Sequence, residues 1–71
     1  MKYVVLFEKT ATGYSAHVPD LPGCVAAGTT LEETGDLMRK AIAVHLAGMR
    51  EDGDPNPEPS TIATYVEAPA A

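Results

Sequence analysis

The sequence predicts a two-layer α+β domain of order β-β-β-α-β, in which one long helix packs on an antiparallel-rich sheet. Short extended runs fill the N-terminal part, a long run with helical periodicity follows, and an alternating run lies near the C-terminus. With 71 residues there is room for one domain, whose core is small. We expect residues 1–67 to form this domain and residues 68–71 to be a frayed tail.

The first two strands form a predicted β-hairpin. Residues 2–8 are rich in β-branched and aromatic side chains, which suits a strand that is buried on both faces. Residues 14–18 alternate, so that His17 lies on the opposite face from Tyr14, and this period of two indicates a half-exposed strand. The turn-like segment 9–13, which ends in glycine, joins the two strands.

A rigid corner separates the second strand from the third. Residues 19–23 contain two prolines, which cannot donate to a sheet, and one glycine, which tolerates a positive φ. The small residues 24–27 then resume an extended run. The corner either sets the strand register or also presents Asp20 and Leu21 to a partner at little entropic cost.

The clearest local signal opens the helix, which we predict from about residue 31 to about residue 51. Thr30 and Glu33 match a capping box, in which the hydroxyl accepts from the N–H of Glu33 and the carboxylate returns to the N–H of Thr30. Glu32 and Asp36 also lie in the first turns, where negative charge suits the helix dipole.

Two apolar sets lie on the predicted helix. The larger set forms one stripe that should pack on the sheet, and Leu37 and Val44 lie beside it. One sheet face cannot easily bury both sets, so Leu37 and Val44 are either a rim of the core or an oligomer interface. The stripe consists of Leu31, Gly35, Met38, Ile42, Leu46 and Met49.

A proline-rich segment joins the helix to the last predicted strand. Residues 53–60 carry proline at alternate positions, which predicts an extended, polyproline-like conformation. Residues 61–67 then alternate, with Ile62 and Val66 on one face and Tyr65 on the other.

The balance of charge excludes some partners and favours others. Ten acidic and five basic residues give a net charge of −5, and an acidic surface repels phosphate, so we expect no direct binding of nucleic acid by this chain. The same charge favours a basic protein partner. The N-terminal apolar run is too short for a signal peptide or a membrane span, so we expect a cytoplasmic protein without membrane association.

Few residues of the sequence are suited to chemistry. Cys24, His17 and His45 lack the paired short spacings of structural zinc sites. A dyad of Cys24 with either histidine is disfavoured, because a thiol in a small-residue strand is more often a packing residue. We therefore expect no metal, no cofactor, no catalytic residue and no enzymatic activity. With a single cysteine and a small core, the chain is expected to gain stability as a homo-oligomer, a dimer or a tetramer.

Several motifs, in the same order, resemble those of the HicB antitoxin family. The resemblance implies a partial RNase H-like β-β-β-α-β domain that binds a small basic HicA toxin, a ribonuclease that cleaves messenger RNA, and masks its active site. It extends from residue 1 to about residue 67. The matching strings are Gly-Tyr at 13–14, PDLPGC at 19–24, GTTLEE at 28–33, EDGDP at 51–55 and PEPS at 57–60.

The resemblance leaves two functions open. One is an antitoxin that occludes a HicA-type ribonuclease, and the other is a stand-alone, self-assembling HicB-like structural or regulatory module without a toxin. Family antitoxins commonly carry a further C-terminal DNA-binding segment, and because this sequence ends just after the last predicted strand, we expect none here. The expected partner contacts are Tyr14, His17, Asp20, Leu21, Glu32, Glu33 and Asp36.

Overall fold

Three strands precede one helix in a computed structural model, which describes residues 1–70. The strands form one antiparallel sheet in the order β1-β2-β3, and the helix packs on one of its faces. This arrangement confirms the predicted α+β class and its two layers. Of the tail expected at 68–71, Ala71 lies outside the described residues. The elements are β1 (Leu6–Lys9), β2 (Tyr14–His17), β3 (Val25–Gly28) and α1 (Leu31–Glu51).

The core lies between α1 and the row of strand residues that faces it. Ala16 pairs with Phe7 across the sheet, and a Cβ on the helix residue Gly35 would lie 4.0 Å from the Phe7 ring, so this row faces the helix. Met38 from the helix and Leu21 from the corner are both 1% exposed and fill the centre. The other residues of the core and its margin are Tyr3, Val5, Val18, Cys24, Ala26, Ala41, Ile42 and Leu46.

The predicted apolar stripe of α1 is confirmed in its middle and wrong at its start. Ile42 packs against the core as expected, whereas Leu31 is 52% exposed. The start of the helix meets the end of β3 through Thr34, whose side-chain oxygen would lie 2.7 Å from a Cβ on Gly28. Thr34 is buried there instead, and its hydroxyl donates to the carbonyl of Thr30 at 2.7 Å, which satisfies its polar group.

The helix cap forms with one change of partner. The hydroxyl of Thr30 accepts from the N–H of Glu33 at 3.0 Å, as the sequence predicts. The Glu33 carboxylate, however, accepts from the backbone N–H and the hydroxyl of Thr29, both at 3.1 Å, rather than from Thr30. The reciprocal bond of the capping box is therefore made one residue earlier, with Thr29 as the donor.

The sequence predicts a strand over residues 2–8 that is buried on both faces. Strand β1 is shorter than this and more exposed. Its partner β2 ends at His17, opposite Leu6, so residues 2–5 have no strand beside them. All four residues of β1 are exposed, because β1 lies at the edge of the sheet and only one of its faces is turned toward the helix.

The last predicted strand, over residues 61–67, is wrong for the single chain. Ile62, Tyr65 and Val66 are 91%, 103% and 85% exposed, and no residue of this segment pairs with the sheet. The radius of gyration is 14.2 Å, whereas a compact chain of this length has about 11 Å. An alternating segment forms a strand only beside another strand, and here it extends away from the body of the domain.

Replacement of Thr30 by alanine tests the cap. We expect Thr30→Ala to lower the free energy of unfolding by about 1 kcal/mol, because the N–H of Glu33 loses its acceptor. Urea denaturation followed by circular dichroism measures this change. The control is Thr12→Ala, an exposed loop threonine, for which a change of less than about 0.5 kcal/mol is expected. Equal effects of the two substitutions would contradict the role of the cap.

Candidate partner-binding site

An open groove with a volume of about 520 Å³ lies along the first turns of α1. Spacings of three and four residues bring its side chains to one side of the helix. All three acidic helix residues that the sequence singled out line it, so the structure brings this part of the expected contact set together. The lining residues are Thr30, Glu32, Glu33, Asp36, Leu37 and Lys40.

The charges in the groove differ in their availability. Three carboxylates and one ammonium leave the groove with a net charge of −2. Glu33 is committed to the cap, and Asp36 makes an ion pair with Arg39. That pair is exposed, so it contributes little and exchanges readily with another cation. Glu32 is exposed, and its side chain makes no hydrogen bond within residues 1–70. Its carboxylate is therefore available to a basic group.

Apolar surface continues from the groove along the helix. Leu37 is 39% exposed and gives the groove an apolar side, while the stem of Lys40 borders it. Val44, two turns further on, is 73% exposed, so it is not a rim of the core. Sequence reasoning missed Lys40 as a groove residue, although its spacing of four from Asp36 is a usable signal.

The corner between β2 and β3 is closed by its own backbone hydrogen bonds. The N–H of Leu21 donates to Val18 at 3.1 Å, and the N–H of Cys24 donates to Leu21 at 3.0 Å. Gly23 has φ +85°, which a glycine adopts without strain. This geometry directs the Leu21 side chain into the core, so the exposure expected for Leu21 is wrong and a partner cannot reach it.

Asp20 holds the segment that follows the helix. Its carboxylate accepts from the backbone N–H groups of Ser60 and Thr61 at 2.9 and 3.1 Å. It also accepts from their hydroxyls at 3.1 and 2.6 Å. These bonds, the Thr61 hydroxyl foremost, lower the pKa of Asp20 from 3.8 to about 2. We call this set of bonds the Asp20 clasp.

A second contact fixes the same segment. The hydroxyl of Tyr3 donates to the carbonyl of Pro57 at 2.5 Å. Together with the Asp20 clasp, it holds the proline-rich segment against the end of the sheet at which β1 begins. The sequence gives no local signal for either contact, because the partners are 54 and 40–41 residues apart.

The two β2 residues among the expected contacts lie on opposite faces of the sheet. His17 pairs with Leu6 and Val25 in the row that faces away from the helix. Tyr14 pairs with Gly28, which lies tightly against the start of the helix. Both are half-buried. The structure therefore places Tyr14 at the groove end of the sheet and His17 on its uncovered outer face.

Reactive and metal-binding groups are sparse in the described part of the chain. Cys24 is buried, and burial raises the pKa of its thiol, which keeps it protonated. Within residues 1–70, no group of three or more His, Cys, Asp or Glu side chains is placed to hold a metal ion. In the same residues, no helix has the length and apolar character that a membrane span requires.

The structure is a small α+β domain with an acidic groove on its helix. A family model described as HicB-like antitoxin of the bacterial toxin–antitoxin system matches residues 3–71. The chain therefore belongs to the HicB-like antitoxin family, as the sequence resemblance indicated.

Individual relatives agree with this family. The chain is 41% identical over 69 residues to a 14.9 kDa protein from the rep–hol intergenic region of Haemophilus phage HP1, covering 97% of this chain and 52% of the relative. It is 35% identical over 72 residues to antitoxin HicB 2 of Photorhabdus laumondii, covering 100% of this chain and 52% of the relative. The chain thus spans about half the length of these relatives.

Solved structures give the same fold. A chain of the HicA3 and HicB3 toxin–antitoxin complex matches with a TM-score of 0.72 and 32% identity, over 84% of this chain and 70% of that one. The three antiparallel strands and the long helix are common to both. The match thus rests on sequence as well as on shape.

The Asp20 clasp predicts a measurable titration. Because folding lowers the pKa of Asp20 from 3.8 to about 2, the clasp adds to stability above pH 4 and is lost as the pH falls toward 2. The backbone amide signals of Ser60 and Thr61 in NMR spectra should therefore titrate with a midpoint near 2. Asp20→Asn should shift them at neutral pH, and Asp54→Asn, an exposed control, should not. A midpoint near 3.8 would contradict the clasp.

Proposed function

We propose that this protein is an antitoxin that binds a small basic HicA-type ribonuclease and covers its active site. The observation that carries the proposal is the likeness, at a TM-score of 0.72, to a chain of a solved HicA3 and HicB3 toxin–antitoxin complex. Membership of the HicB-like antitoxin family supports it. Because the curated relatives are about twice as long, the proposal concerns what this domain contributes.

The groove on α1 is the proposed contact surface. Glu32 and Asp36 offer carboxylates to the lysines and arginines of a basic toxin, and the net charge of −5 steers the encounter. Leu37 provides apolar surface that the partner can cover, and burial of this surface contributes affinity. The charges contribute mainly to the association rate and to specificity. Tyr14, near the helix start, extends this surface.

The other expected contacts take different places in the proposal. Leu21 is not part of the proposed contact surface, because it lies in the core. Asp20 positions the chain after the helix rather than touching the toxin, since both of its carboxylate oxygens already accept hydrogen bonds. His17 belongs to the outer sheet face and would join only a toxin that wraps around the edge of the sheet.

Inhibition by occlusion requires no chemistry from the antitoxin. We accordingly propose that the domain is not an enzyme, uses no metal or cofactor, and binds no nucleic acid directly. A toxin that cleaves messenger RNA acts in the cytoplasm, and we place the antitoxin there. The acidic surface supports this proposal, because it would repel the RNA from the covered active site.

A self-assembling module without a toxin is the second candidate function. The 73% exposure of Val44 favours it, because Val44 and Leu37 are exposed apolar side chains two turns apart on one helix, and a second copy could cover both. The two candidates differ in what Glu32 and Asp36 do. Charge reversal at these positions impairs an antitoxin and leaves a toxin-free module unaffected.

Reconstituted RNA cleavage tests the antitoxin proposal. The chain in excess should abolish cleavage by its cognate HicA-type toxin. The double variant Glu32→Lys, Asp36→Lys should slow association with the toxin about 10-fold or more at low salt, and the difference should shrink at high salt. Association rates from surface plasmon resonance measure both effects.

A matched control separates the groove from net charge. The control is the double variant Glu58→Lys, Asp54→Lys, which reverses two exposed acids outside the groove. The control double variant changes net charge equally and is expected to slow association less than the groove variant. Full cleavage in the presence of excess antitoxin, or equal effects of the two double variants, would refute the proposed surface.

A further inference from the structure

The segment of residues 61–67, here called the arm, has the composition of a strand but no strand beside it. It alternates β-branched and aromatic residues, and Pro59 and Pro69 bracket it without interrupting it. Its large side chains are almost fully in water, with Tyr65 at 103% exposure. A segment with this pattern buries its apolar faces only when it is added to a sheet.

The arm leaves the domain at a fixed place and in a fixed direction. The Asp20 clasp holds Ser60 and Thr61, and from Ile62 onward the described chain is exposed. Asp20 follows the end of β2 that pairs with Leu6, the first residue of β1. The arm is therefore released beside the start of β1 but extends away from its own sheet.

The sheet offers a free edge that matches the arm. Strand β1 (Leu6–Lys9) pairs with β2 on one side only, and residues 2–9 contain no proline. Leu6 and Phe7 on this edge are exposed on opposite faces. At the other edge, β3, the start of the helix lies against the last strand residue: a Cβ on Gly28 would be 2.7 Å from a Thr34 side-chain oxygen.

We propose that two copies of this chain exchange arms, so that the arm of each pairs with the free β1 edge of the other as a fourth strand. Four of the arm residues can pair with β1 (Leu6–Lys9), and the others can continue along residues 2–5, which have no strand beside them. The charges favour antiparallel pairing, which brings Glu67, the only charged arm residue, to Lys2, whereas parallel pairing brings it to Glu8 as well as Lys9.

Symmetry favours a second copy as the occupant of the edge. A two-fold exchange lets each chain donate one arm and accept one, so both apolar arms and both free edges are covered in a single closed assembly. Pairing of the arm with its own β1 would require a reversal directly after the clasp, where Thr61 is held by Asp20. The exchange keeps the clasp intact, and it is independent of whether a toxin binds the groove.

Sedimentation velocity on the whole 71-residue chain tests the exchange. We expect a dimer at micromolar concentration. Thr64→Pro removes a ladder donor in the middle of the arm and should raise the dimer Kd roughly 10-fold or more. Ala70→Pro, beyond the arm, is the matched control and should leave the Kd unchanged, as should Val44→Asp. Circular dichroism checks that each variant retains its helix, which the arm does not touch.

Isotope-filtered NMR on a mixture of labelled and unlabelled chains locates the arm. Intermolecular contacts between the arm and the backbone amides of residues 3–9 are expected. A monomer at 100-micromolar concentration and above would overturn the proposal, as would a dimer that Thr64→Pro leaves unchanged or one that Val44→Asp disrupts. Arm contacts found only within one chain, or to β3 of the other, would overturn it equally.

Discussion

A single helix packed on one face of a three-stranded sheet encloses one small hydrophobic core. Residues outside the helix–sheet contact therefore remain on the surface. Met38 and Leu21 meet in this core, and the helix crosses mainly β2 and β3. The outer face of the sheet, the β1 edge and the far side of the helix have no layer to cover them. Apolar residues in those places, such as Leu6 and Val44, are therefore surface residues of this single domain.

The Asp20 clasp is the second constraint, because it holds the end of the proline-rich segment from which the arm begins. Four hydrogen bonds to one carboxylate tie residues 60–61 to the corner, and Tyr3 holds Pro57 nearby. Proline keeps the intervening chain extended at little entropic cost, so the arm starts at the same point in every molecule. A partner strand can then pair with an arm whose first residues are already ordered, which lowers the entropic cost of pairing.

Features of the fold that depend on interactions between nearby residues can be predicted from the sequence. The helix was predicted at the bounds the structure has, because its cap and its apolar stripe are local signals. The strands β2 and β3 were placed to within one residue for the same reason. The acidic part of the groove followed from helical spacing alone. The burial of Leu21 was missed, since only the closed geometry of the corner turns that side chain inward.

Longer-range features could not be derived in this way. The role of Asp20 depends on donors about 40 residues away, which have no signature near Asp20 itself. The alternation over residues 61–67 is a strand-like pattern, but no sequence pattern states whether a strand with a free edge lies beside it, and the strand predicted there is absent from the structure. Strand formation there depends on a neighbour, and the single chain does not supply one. The pattern thus indicates a propensity for strand structure, which is realised only beside a neighbouring strand.

The two proposed surfaces lie at opposite ends of the sheet, and this separation has a functional consequence. The groove begins where Gly28 meets the helix start, at the end of β2 that contains Tyr14. The arm is released at the other end, beside His17 and Asp20, so four strand residues, roughly 13 Å, separate the two places. Exchange of arms therefore leaves the groove of each copy open. A dimer formed in this way would present two acidic grooves, each able to hold one toxin, and salt would weaken the grooves' contacts more than the backbone pairing of the arms.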